Sequence, residues 1–140
     1  MRGIYPWLRS VIKATIVAEG MKVNRFELTV AFTNDIELQR LNEIYRQISS
    51  PTDVLAFPAN DLDPETGRKY LGDIVISMDQ VKKQHDQFGD LEKDILGLLV
   101  IHGTLHLLGY DHATREEKIK MWRCQDSILS QFQVTVHISE

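Results

Sequence analysis

Between Asp90 and Gly109 the chain reads LEKDILGLLVIHGTLHLL, with its charged residues confined to the first turn. A helical segment that is apolar on every side belongs inside a protein rather than on its surface. A helix of this length spans about 27 Å, so a chain of 140 residues must build its core around it. Asp90 stands where an N-cap is expected, and Gly109 where a left-handed residue closes a helix. The segment predicts a long, largely buried helix in one compact domain spanning residues 1–140.

The flanking segments are shorter and more polar. Residues 6–19 form an amphipathic pattern with Trp7, Val11, Ala14 and Ala18 on one stripe and Gly20 as its stop. Arg9, Lys13 and Glu19 inside that pattern separate it from a secretory signal. In FELTVAF, Phe26, Leu28, Val30 and Phe32 alternate as in a half-buried strand. Asn34 caps a second helix with Ile36, Leu41, Ile44 and Tyr45 at helical spacing, broken at Ser49-Ser50-Pro51. TDVLAFP reads as a short strand ended by Pro58, residues 60–69 as an exposed loop, and YLGDIVISM as a third strand. Ser77 caps a helix closed by Gly89. Thr114 and Glu117 form a capping box for a last helix striped by Ile119, Trp122, Ile128 and Leu129. The tail QVTVHISE alternates like a further strand. Strands and helices mix without strict alternation. The expected fold class is therefore α+β, with a small mixed sheet of about four strands packed with helices.

Composition narrows the function classes. With 43% hydrophobic residues the chain can hold a core without covalent staples, and its single Cys124 excludes an internal disulfide. No apolar run approaches the 18 or so residues that crossing a membrane requires. These features point to a cytoplasmic protein with no membrane partner. The formal charge is −4, all of it in residues 71–140 because the first seventy residues balance. Proteins that bind nucleic acid by bulk charge are basic. A nucleic-acid role here must rest on a local groove or on a bound cation.

Three of the five histidines fall within HGTLHLLGYDH. His102 and His106, four residues apart on the long helix, share one face with side chains about 5–6 Å apart. Two imidazoles so placed can grip one ion, as in helical zinc sites. Gly109 lets the chain turn back and bring His112 to the same ion. Three neutral imidazoles leave an open fourth position for water, the arrangement of a catalytic site rather than a structural one. Only Asp111 offers a fourth ligand nearby, and Cys124 lies within the last helix. His85 and His137 read as hydrogen-bonded capping or core residues. The spacing matches the zinc-peptidase pattern H-E-x-x-H-x-x-G-x-x-H, but Gly103 replaces the glutamate base. A helix-interior glycine costs about 1 kcal/mol relative to alanine, so it implies that space is needed beside the metal.

HGTLHLLGYDH, with SPTDVLAFP at 50–58 and LGDIVIS at 71–77, resembles the YbeY family of bacterial rRNA-maturation endoribonucleases over roughly residues 25–130. The resemblance implies an α+β fold with a Zn2+-like ion held by His102, His106 and His112 in a cleft. It also implies metal-dependent cleavage of single-stranded RNA in rRNA processing and ribosome quality control, with the small ribosomal subunit or its proteins as partner. The family's functional arginine falls on Arg46. A guanidinium there, at a helix end before a strand, can grip phosphate oxygens bidentately. Asp53 and Asp73 are read as holding backbone or orienting a histidine.

The chain departs from the family in Gln47, Ile48, Ser49 and Ser50, where the pattern G-K-D-x-P is usual, and in Ala56, where the family has serine. Two other function classes remain open: a non-catalytic, metal-bearing ribosome-assembly factor, and a peptidase lacking the usual glutamate. Other divalent transition metals suit three imidazoles as well as Zn2+ does.

Overall fold

A computed structural model describes residues 3–137. The elements run α1 (Ile4–Ala18), a short 3-10 turn (Val23–Arg25), β1 (Phe26–Thr33), α2 (Asp35–Arg46), β2 (Val54–Leu62), β3 (Lys69–Ser77), α3 (Met78–Phe88), α4 (Glu92–Leu107) and α5 (Arg115–Gln131). The sheet order is β1-β3-β2, with β1 parallel and β2 antiparallel to the central β3. The architecture is α+β with a mixed sheet, as the pattern implied.

The long apolar segment is α4. It packs against β2, β3, α1, α3 and α5, which leaves only its first turn exposed and the line Asp94, Leu98, His102 and His106 half-buried. Ile95, Leu96, Val100, Ile101 and Leu105 are almost wholly buried. Close packing is built into its glycines: a Cβ on Gly97 would lie 2.7 Å from the Trp7 ring of α1. Among the described residues no helix is long and apolar enough to cross a membrane.

Several local expectations shift. Asp90 does not cap α4, whose N-cap position is Leu91 without a side-chain bond. The Asp90 carboxylate instead accepts from the His137 backbone N–H at 2.9 Å and from Gln84 at 3.0 Å. That contact also decides the tail. The described sheet has three strands rather than about four, because residues 134–137 dock on the helices instead of pairing with a sheet edge. Val134 and Val136 pack on the core, so the alternation serves docking. Residues 138–140 of the expected strand lie outside the described residues.

The α2 face is rotated from the one expected. Leu38 and Asn42 are buried, whereas Ile36 is 80% exposed and Ile44 and Tyr45 also face outward. On α1, Leu8, Val11 and Thr15 make the buried line and Ala18 is exposed. On α5 the buried residues are Met121, Gln125, Ile128 and Leu129, leaving Ile119 and Trp122 outside. The strand β2 runs past Pro58 to Leu62, taking up the irregularity as a register shift between Pro58 and Asp61. As an edge strand it tolerates the missing proline N–H. The caps at Asn34, Ser77 and Thr114 form as expected, the last as a full capping box with Glu117.

Candidate metal centre

His102 and His106 sit one turn apart near the end of α4. Gly109, at φ 104°, then reverses the chain. The Tyr110 N–H closes the turn on the Leu105 carbonyl at 2.9 Å, and His112 returns over the helix end. One ring nitrogen from each of the three histidines lies within 4.8 Å of the other two. The His106 ring centre is 4.5 Å from that of His102 and 4.9 Å from that of His112.

The tautomers follow from their partners. His102 Nδ1 is 2.7 Å from Gln125 Oε1, and His106 Nδ1 is 2.8 Å from the Tyr110 carbonyl oxygen. Both oxygens only accept, so both Nδ1 atoms carry the proton and both Nε2 atoms present lone pairs. Those two Nε2 atoms face each other at 3.0 Å. With no proton between them the contact is repulsive by itself, and a cation relieves it. Two ligand bonds of about 2.05 Å at a tetrahedral angle set nitrogens roughly 3.3 Å apart, close to the spacing here. Burial, with His102 and His112 adjacent, pushes the His106 pKa down to about 4, opposed by the Tyr110 carbonyl and Asp111. Burial also lowers that of His102, against the Gln125 hydrogen bond. Both are therefore neutral near pH 7, the form that binds metal. The donor set fits a borderline divalent ion.

The histidines open onto a cleft of about 460 Å³ whose far wall carries Arg46, Asp53, Ala56 and Pro58. Arg46 is the last residue of α2, after which Gln47 turns into the left-handed region at φ 57°. The buried Asn42 pins the following loop, its Nδ2 donating to the Ser50 carbonyl at 2.9 Å. Asp53 lines the cleft with part of its side chain in solvent. Crowding by the surrounding protein raises its carboxyl pKa, partly offset by hydrogen bonds from Val54, its own N–H and Thr52. A larger hollow of about 840 Å³ lies between α1 and β1, with no histidine in its wall.

His102, His106, His112 and Arg46 thus meet in one cleft. Asp73 does not join them, being bonded to the Tyr70 hydroxyl, and neither aspartate orients a histidine. That role falls to Gln125 and the Tyr110 carbonyl, neither of which belongs to the histidine motif. A lone glutamine inside the buried line of α5 was the available signal, since a polar group placed there needs a partner. His85 and His137 both bond to Asp90. Cys124 Sγ lies 3.4 Å from the Tyr110 hydroxyl and is not part of the three-histidine cluster. Gly103 lines the cleft beside the histidines and also faces the sheet, where a Cβ would lie 2.7 Å from Ile74 Cγ2. The glycine thus makes room for β3 as well as lining the cleft, and a glutamate in its place would strike the sheet.

Comparison with known proteins adds a family. A model described as Endoribonuclease YbeY matches residues 3–133. A protein of that name from Halalkalibacterium halodurans is 35% identical over 136 residues, covering 91% of this chain and 86% of the relative. Another, from Oceanobacillus iheyensis, is 42% identical over 115 residues, covering 77% and 75%. The solution structure of a Thermotoga maritima protein matches with a TM-score of 0.57 and 24% identity, over 93% of this chain and 84% of that one. That last likeness is one of fold.

Proposed function

This chain belongs to the YbeY endoribonuclease family, and from that premise we propose that it is a metal-dependent endoribonuclease cutting single-stranded RNA during rRNA maturation and ribosome quality control. In this reading residues 1–140 form one cytoplasmic catalytic domain that works on or beside the small ribosomal subunit. The observation that carries it is the pair of Nε2 lone pairs 3.0 Å apart, fixed by Gln125 and Tyr110 and joined by His112, facing Arg46 across a cleft.

His102, His106 and His112 hold one Zn2+ per chain, with other divalent transition metals as substitutes. When bound, the ion supplies Lewis-acid stabilisation of phosphoryl charge and acidifies water. The protein does the rest by placement. Gln125 and the Tyr110 carbonyl keep two imidazoles in the ligating tautomer. Arg46 orients the phosphodiester through its planar fork and offsets the charge that grows on the phosphoryl oxygens. A peptidase role is disfavoured, because the space a glutamate base would need at position 103 is filled by Ile74.

The test is cleavage of an end-labelled single-stranded RNA by wild type and His106→Ala, with metal measured on the same samples. Wild type should hold about one ion per chain and cleave, while the variant does neither. If wild type holds metal yet cleaves no faster than the variant, the enzyme reading falls and an assembly factor remains. A 2′,3′-cyclic phosphate end on the product would identify the RNA 2′-hydroxyl as nucleophile.

A further inference from the structure

The histidines border a second cavity of about 660 Å³ on the side away from Arg46. His102 and His112 form its inner wall and α5 its outer one, through Arg115, Lys118, Ile119, Trp122 and Arg123. Residues 115, 118, 119 and 122 recur at the spacing of one helical face. That face is not core: Ile119 is 42% and Trp122 36% exposed, while Met121 and Gln125 beside them are buried. Among the described residues no side-chain hydrogen bond or ion pair engages Arg115, Lys118 or Arg123. A chain of net charge −4 thus places three cations around one exposed indole, directly beside the candidate catalytic ion position.

We infer that this cavity is a nucleotide subsite, in which an unpaired base next to the scissile phosphodiester stacks on Trp122 while Arg115, Lys118 and Arg123 neutralise the adjoining phosphates. The inference rests on the nuclease reading and names how that site takes its substrate. An indole face accepts any base, and cations beside it track a backbone without reading sequence. Charge complementarity favours a polyanion, and the flat aromatic surface favours one that carries bases. The subsite also gives a physical source for single-strand preference, since a base held in a duplex cannot leave its stack to lie on Trp122. RNA would cross the centre from the Arg46 cleft to the α5 cavity.

Two readouts separate this inference from the activity itself. The first uses Trp7→Phe protein, in which Trp122 is the sole indole. It is titrated with an oligouridylate of about eight nucleotides, with the same RNA annealed to its complement, and with polyglutamate. Single-stranded RNA should quench Trp122 emission, and duplex and polyglutamate should not. The second compares cleavage kinetics of wild type, Trp122→Ala and Trp122→Phe, with folding checked by circular dichroism. Trp122→Ala should raise KM roughly ten- to hundredfold with kcat within about twofold, and Trp122→Phe should recover most of the loss.

Quenching without cleavage would uphold the subsite and defeat the nuclease reading. Cleavage with no quenching and an unchanged KM in Trp122→Ala would leave the nuclease and overturn the subsite. Equal quenching by polyglutamate would also overturn it, pointing to an acidic protein partner.

Discussion

Gln125 shows how a single uncharged group sets the state of the site. Its amide oxygen fixes the tautomer of His102, yet it lacks the negative charge by which a carboxylate in that position makes an imidazole more basic. Replacing it with leucine, of similar bulk, removes the acceptor and frees His102 to protonate at either nitrogen. Gln125→Leu should weaken metal binding by about 10- to 100-fold, and Gln125→Glu should bind at least as tightly as wild type. Competition with a chromophoric chelator measures both, and an unchanged affinity in Gln125→Leu would remove Gln125 from the centre. Arg46 belongs to the other half of the chemistry. It lines the cleft without a hydrogen bond to any of the three histidines, so if it grips phosphate as proposed, Arg46→Ala should lower kcat by about 10²- to 10³-fold while metal content stays at the wild-type value. Loss of metal in that variant would instead make Arg46 a structural residue.

At the scale of elements, the helix α4 and the strand β3 approach so closely that only glycine fits at 103. Gly103→Ala gains about 1 kcal/mol of helix propensity, but its methyl meets Ile74 and overpacking costs about 1–3 kcal/mol. The variant should therefore be less stable by denaturant melting. In an Ile74→Ala background the clash is gone and the same substitution should stabilise, a reversal of sign that a double-mutant cycle reads directly. The helix carrying the site and its three histidines could be read from the sequence, because an apolar segment with capping signals has only one good solution. The stripes of α2 and α5 could not. Both helices have more apolar residues than the core accepts, and tertiary packing alone decides which are left out. On α5 the residues left out, Ile119 and Trp122, border the site itself. Neither Gln125 nor the Tyr110 carbonyl belongs to a histidine motif, so their role appears only when α5 and the post-helix turn are seen against α4. The docking of the tail is illegible in the sequence for a related reason: an alternating pattern fixes which side chains face inward, but not whether the partner is a strand or a helix pair.

For the molecule as a whole, the site couples folding to pH. In the metal-free protein burial holds His106 down at about 4, with His102 and His112 adding to it and Asp111 and the Tyr110 carbonyl opposing it. The same imidazole in the unfolded chain titrates near its ordinary 6.5. Between those values the unfolded chain binds a proton that the folded chain refuses, so stability rises with pH across the window and levels off above about 7. Acidifying from pH 7 to pH 4.5 should lower the Tm, and His102, shifted in the same direction, adds to the slope. Asp53 runs the other way. Its raised carboxyl favours the folded state while protonated, and that contribution is lost as pH rises through its folded value. The total slope is therefore a mixture, and the informative quantity is the difference made by His106→Gln, which stays uncharged throughout. That variant should show a shallower fall in Tm between pH 7 and 4.5 than wild type, both measured in chelator. Adding Zn2+ at neutral pH should raise the Tm of wild type and not of the variant, and should steepen the acid limb, because protons must then displace an ion as well as enter a buried ring. Parallel slopes for the two proteins in chelator would mean that His106 titrates alike folded and unfolded, and would remove burial as the reason this histidine is neutral and ready to bind an ion.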